Sequence, residues 1–194
     1  MLSTDDYEIL ADPTTMDMAA RAVRDYGALQ DEWEFAVLLE LVKQAGVRTM
    51  IEIGSYTGGS LWAWRQVVPN VLAVTIEAAP GQFHSHGASM IYGDSTSPEV
   101  HARMAQRLSG AQVDFMFIDG GHDWFTAKSD FEWAVSLVQR GIIGLHDINL
   151  HLRFPGPDFE GPRRLWNETR DLYPTYEIAN KDMEDPGVGI YWIR

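Results

Sequence analysis

Cysteine is absent from the 194 residues, which excludes disulfide frameworks, thiolate zinc sites, iron–sulfur clusters and cysteine nucleophiles. Cationic side chains are scarce: 15 Lys and Arg stand against 28 Asp and Glu, a formal charge of −13. A phosphate backbone is bound by clustered cations, so a nucleic-acid partner is not expected. No apolar run reaches the length of a membrane-spanning helix, and no membrane partner is expected either. The opening Met1-Leu2-Ser3-Thr4-Asp5-Asp6 is acidic where a secretory signal would be basic, so the expected location is the cytoplasm. Internal repeats and low-complexity segments are also lacking. What is present is 45% hydrophobic residues with 22% charged ones, enough for a folded interior and, at this length, for one domain.

Helix-like and strand-like periods alternate along the chain, the pattern of an α/β fold. Asp31 and Glu34 read as a capping pair for a helix that places Val37, Leu38, Leu41, Val42 and Ala45 on one face, with Gly46 to end it. Thr49 to Gly54 reads as a buried strand, Leu61 to Val68 as a helix, and Val71 to Ile76 as a second strand closed by Glu77. Ser89 to Tyr92 is a short third strand, and Ser97-Pro98-Glu99 opens a helix with Val100, Met104 and Leu108 on one face. Val113 to Ile118 forms the fourth strand, followed by a helix with Ala127, Phe131, Ala134 and Val138 inward, and Gly141 to Leu145 forms the fifth. Asn149 to Pro162 reads as a long loop, a length that is more often functional than filler. A helix from Arg163 to Tyr173 and strands Tyr176 to Ala179 and Val188 to Ile193 follow.

The richest signal is Glu52-Ile53-Gly54-Ser55-Tyr56-Thr57-Gly58-Gly59-Ser60, a glycine turn between the first strand and its helix, where α/β folds bind nucleotides. It has neither the G-x-G-x-x-G spacing of dinucleotide sites nor the lysine of a phosphate loop. The carboxylate of Glu52 ahead of the first glycine suits a ligand carrying positive charge, although a tight strand-to-helix turn alone could use the same residues. Glu77 stands at the second strand end, where an acid accepts both ribose hydroxyls, and Gly93-Asp94-Ser95 at the third, where a short acid can meet an adenine amino group.

With these signals together, the sequence resembles the class I S-adenosylmethionine-dependent methyltransferases. It is most similar to a small O-methyltransferase-like branch with Phe117-Ile118-Asp119-Gly120-Gly121-His122 after the fourth strand and Leu145-His146-Asp147-Ile148 after the fifth, and the similarity runs over residues 47 to 194. The resemblance implies a Rossmann-like seven-stranded, mostly parallel sheet with an antiparallel last strand and helices on both faces. It implies one methyltransferase domain over residues 1–194, with 1–46 as an N-terminal helical lid or cap and 47–194 as the cofactor-binding core. S-adenosylmethionine would be held by Glu52, Gly54, Ser55, Tyr56, Gly58, Ser60, Glu77, Gly93, Asp94, Ser95 and Asp119.

The resemblance also implies O-methylation of a hydroxylated small molecule such as a sugar or natural product, with His122, Asp119 and Asp147 as the catalytic set and His122 as general base. Imidazole suits that task because its ordinary pKa, about 6.5, lies near working pH. Asp119 and Asp147 end neighbouring strands, and with His146 they form a candidate site for a divalent cation, Mg or Mn. Related enzymes carry a further Asp, Glu or Asn next to the second acid; here His146 precedes Asp147 and Ile148 follows it, so whether a metal is required is left open. The competing classes are a cofactor-binding scaffold without activity and a Rossmann-type oxidoreductase. Trp124 and Phe125 could wall the site or pack in the core. His84 and His86 form an H-x-H pair with a weak metal signature, and His151 in the long loop is expected in solvent. Tyr7, Tyr26 and Trp33 are candidates for a lid or a subunit contact, and a homo-oligomer stays open.

Overall fold

The computed structural model describes residues 11–75, 83–179 and 186–194. Helix α1, Pro13–Tyr26, starts where the Asp12 side chain accepts from the backbone N–H of Thr14 and Thr15 and stops at Gly27, whose φ of 73° is left-handed. Helix α2, Glu32–Gln44, is capped by Asp31 through Trp33 N and Glu34 N. Glu34 does not complete the expected capping pair. Its buried carboxylate instead accepts from Gly187 N at 3.1 Å, 153 residues away.

The strands are β1 (Thr49–Ile53), β2 (Asn70–Thr75), β3 (Ser89–Tyr92), β4 (Phe115–Ile118), β5 (Gly141–His146), β6 (Thr175–Ile178) and β7 (Val188–Ile193). They form one seven-stranded sheet in the order β3-β2-β1-β4-β5-β7-β6. β7 runs antiparallel between β5 and β6, whereas β1 to β5 pair in parallel. This is the expected Rossmann-like sheet with an antiparallel last strand. Strand β1 is buried along its whole length, as a strand covered on both faces must be.

One face of the sheet packs against α1, α2 and α3 (Gly59–Val67), through Ala19, Phe35, Leu38 and Trp64. The other packs against α4 (Pro98–Leu108), α5 (Trp124–Leu137) and α7 (Gly161–Thr169), through Met104, Phe131 and Trp166. The expected loop 149–162 contains a short helix α6, Leu150–Arg153, and α7 begins at Gly161, ahead of the expected start. The expected Arg163–Tyr173 helix is α7 followed by a 3-10 turn, Arg170–Leu172. Strand order reverses between β1 and β4, whose neighbours diverge to opposite sides. Ligands of open α/β sheets sit outside the carboxyl ends at such a point, and here those ends carry Gly54 and Asp119.

Candidate functional site

A cleft of about 1160 Å³ opens over the carboxyl ends of the parallel strands. Its sides are built from the turn after β1 (Gly54, Ser55, Tyr56, Ser60), the turn after β3 (Gly93, Asp94, Ser95) and the turn after β4 (Asp119 to His122), with Asp147 from the end of β5. The link between α1 and α2 adds Ala28, Leu29 and Gln30, and α6 adds Leu150 and Arg153.

Gly54 explains the tightness of the first turn: at φ 86°, a Cβ there would lie 1.8 Å from the Asp119 carbonyl oxygen. Two expected cofactor residues face elsewhere. Gly58 does not line the cleft, because its φ of 90° and the His84 carbonyl, 1.9 Å from any Cβ, make it a packing glycine. Glu52 is fully buried beneath the turn, where its carboxylate accepts from Ser55 Oγ at 2.7 Å and Trp64 Nε1 at 2.8 Å. Burial pushes that carboxyl up to about 7. Those contacts brace the turn from below. Glu77 and Tyr7 lie outside the described residues.

At the β3 end, Asp94 Oδ1 accepts from Thr96 N at 2.9 Å and Thr96 Oγ1 at 2.8 Å, and the Thr96 N–H holds the carboxyl below its ordinary range. The Ser95 carbonyl accepts from His101 Nε2 at 2.6 Å, and the His101 ring stacks on Trp133 at 4.0 Å. Both sides of this subsite are thereby fixed before any ligand enters.

The turn after β4 and the end of β5 carry a chain of alternating acids and imidazoles. His122 Nε2 lies 2.7 Å from Asp147 Oδ2, the same oxygen lies 3.3 Å from His146 Nδ1, and His146 Nδ1 lies 2.9 Å from Asp119 Oδ1. Gln30 Nε2 donates to the other Asp119 oxygen at 2.6 Å. The hydrogen bond to Asp147 raises the His122 pKa above its ordinary value. Burial opposes charge on both His146 and Asp147, yet their mutual attraction wins: His146 stays well above the usual imidazole range and Asp147 well below the usual carboxylate range. Burial raises Asp119. Asp147 sits at φ 64°, a left-handed conformation uncommon outside glycine and of the kind found at functional sites.

One donor atom from each of Asp119, His146 and Asp147 lies within 4.8 Å of the others, the one such group among the described residues. His146 Nε2 is buried without a partner. The set of two oxygens and one imidazole nitrogen fits a divalent cation of intermediate hardness.

Several expectations about aromatics are corrected. Trp124 neither walls the cleft nor packs in the core; it lies between Lys128 and Arg164, with those cations 4.7 and 4.1 Å from its ring centroid. Phe125 is 78% exposed. Tyr26 stacks on Trp62 at 4.5 Å and meets His86 edge-on, which ties that histidine to packing. His151 does not line the cleft, whereas its helix neighbours Leu150 and Arg153 do. The sequence reading missed Gln30, which has no local signal, and Gly161, whose N–H donates to the His122 carbonyl at 2.9 Å and anchors the histidine turn to α7.

Comparison with known proteins agrees with this fold. The pattern of a family described as methyltransferase domain matches residues 51–148. No curated protein matches the sequence. Among solved structures, the O-methyltransferase TomG from Streptomyces achromogenes, involved in tomaymycin synthesis and bound to S-adenosylmethionine, is 16% identical, with a TM-score of 0.63 over 100% of this chain and 99% of its own. A caffeoyl-CoA O-methyltransferase, so named provisionally, from Staphylococcus aureus is 15% identical, with a TM-score of 0.67 over 94% of this chain and 93% of its own. MycE from the mycinamycin biosynthetic pathway, bound to Mg and S-adenosylhomocysteine, is 17% identical, with a TM-score of 0.63 over 94% of this chain but 55% of its own.

Proposed function

Because the chain belongs to the methyltransferase-domain family, we propose that it transfers the methyl group of S-adenosylmethionine to a hydroxyl oxygen of a small molecule, with His122 as general base. The observation that carries this reading is the 2.7 Å pair of His122 Nε2 and Asp147 Oδ2 at the cleft. A carboxylate on that nitrogen fixes Nε2 as the protonated one, which leaves Nδ1 with a lone pair for a substrate proton.

The sulfonium methyl is already electrophilic, so alignment supplies much of the rate. The acceptor oxygen attacks the methyl carbon, the carbon–sulfur bond breaks with its electron pair passing to sulfur, and His122 Nδ1 takes the hydroxyl proton. Asp147 holds the ring in the productive tautomer and offsets the charge that forms on it. Gly54 lets the cofactor approach the backbone, Asp94 and Ser95 hold the adenosine end, and the buried Asp119 faces the sulfonium end with its orientation set by Gln30. A divalent cation held by Asp119, His146 and Asp147 would supply Lewis-acid polarisation of the acceptor hydroxyl.

Replacing a general base typically costs about 10² to 10⁴ in rate. His122→Ala should therefore lower S-adenosylhomocysteine release by that order in a coupled assay over a panel of phenols and sugars, while calorimetric affinity for S-adenosylhomocysteine stays unchanged. Full activity of the variant would remove the base assignment.

A further inference from the structure

The acids at the cleft outnumber its cations. Asp31, Asp94, Asp119 and Asp147 face it, and among the described residues Arg153 is its sole Lys or Arg. Arg153 ends α6, six residues after Asp147 in the chain. Its guanidinium lies over the Phe154 ring, 5.6 Å from the centroid, and has no carboxylate partner among the described residues. Among the described arginines only Arg21 and Arg164 have a carboxylate within 4 Å, so what sets Arg153 apart is its place at an acidic cleft.

Aromatic rings connect this cation to the base. The His122 ring stacks on Phe159 at 6.0 Å and 28°, and Phe159 meets Phe154 at 5.6 Å and 36°. Phe154 and Phe159 remain 46% and 36% exposed. Apolar area left in water costs roughly 25 cal/mol per Å², so a flat ligand laid along these rings recovers that energy. A guanidinium fork at the far end matches a carboxylate in planar, bidentate geometry.

Resting on the methyl-transfer reading above, we propose that the acceptor is a flat, elongated hydroxylated acid, with its hydroxyl at His122 and its carboxylate on Arg153. The cofactor has a carboxylate of its own, the rival claimant to that guanidinium, and the test separates the two.

Calorimetric titration of the S-adenosylhomocysteine-saturated protein with 3,4-dihydroxycinnamate and with its uncharged methyl ester reads the proposal directly. The acid should bind about tenfold or more tightly than the ester, the scale of a charge-assisted pair. Arg153→Gln should erase the difference, Arg153→Lys should restore part of it, and affinity for S-adenosylhomocysteine should be equal in all three proteins. Equal affinity for acid and ester in the wild type, no binding of the acid, or a preference surviving in Arg153→Gln overturns the proposal. A fall in S-adenosylhomocysteine affinity on losing the arginine assigns the guanidinium to the cofactor and overturns it too. If the wild type does not bind S-adenosylhomocysteine at all, the underlying methyl-transfer reading fails with it.

Discussion

One oxygen of Asp147 serves two histidines, His122 at 2.7 Å and His146 at 3.3 Å, so the loss of its charge has two effects. Asp147→Asn removes the negative partner of His122, leaves His146 with Asp119 alone, and frees the His122 tautomer. Turnover should fall by about 10² or more, with KM for the cofactor nearly unchanged, as the proposed role of Asp147 beside the base requires. A wild-type-like rate would show that the pair is structural. Metal dependence is read in the same variant: if Asp119, His146 and Asp147 hold a cation, added Mg or Mn raises wild-type activity and leaves Asp147→Asn unresponsive. A rate indifferent to EDTA would remove the metal. At this scale the sequence was informative where chemistry was clustered: Asp119, His122, His146 and Asp147 stood in two short motifs and meet in space. It was silent on Gln30, whose contact with Asp119 spans 89 residues, and it gave Glu52 to the cofactor, because a strand-end acid looks the same whether it faces a ligand or a buried Trp64.

Among the elements, the turn after β1 is the most constrained. A methyl group on Gly54 would meet the Asp119 carbonyl at 1.8 Å with backbone at φ 86°. Gly54→Ala should destabilise the fold by about 2 kcal/mol or more and displace the Asp119 turn, abolishing S-adenosylhomocysteine binding. Thermal unfolding and calorimetry together check it, and an unshifted melting temperature would contradict the packing described. Strands β1, β2, β4 and β5 were legible as apolar runs because burial on both faces leaves no room for polar positions. Helix α1 was not, since its buried face is made of small side chains, Ala19 and Ala22, that give little periodic signal against α2 and α3. The start of α6 was hidden for a different reason. A four-residue helix amid prolines leaves too few positions to show a period.

Over the whole molecule, buried acids set the response to pH. Burial pushes Glu52 and Asp130 each up to about 7, and Asp130 is fully buried on α5 with no hydrogen bond of normal geometry at either oxygen. A carboxyl whose folded pKa lies above its unfolded value contributes most below the unfolded value, and the contribution is lost as pH rises through the folded one. Stability should therefore decline from about pH 4 to about pH 7, by roughly 4 kcal/mol per group at most. Asp130→Asn should flatten part of that slope in a series of chemical denaturation curves; an unchanged slope would show that Asp130 ionises freely in the native state.

The place of β7 in the sheet governs how the protein comes to exist. Strand β7 follows β6 in the chain yet is wedged between β5 and β6, and the N–H of Gly187 just ahead of it donates to Glu34 on α2. On the ribosome, α2 and β6 both emerge before their partner. Synthesis at roughly 5–20 residues per second brings that N–H seconds after Glu34 has emerged, because the two lie 153 residues apart. The seam between β5 and β6 therefore stays open until β7, made after both, is inserted, and the sheet is completed from its middle rather than grown outward from the first strand.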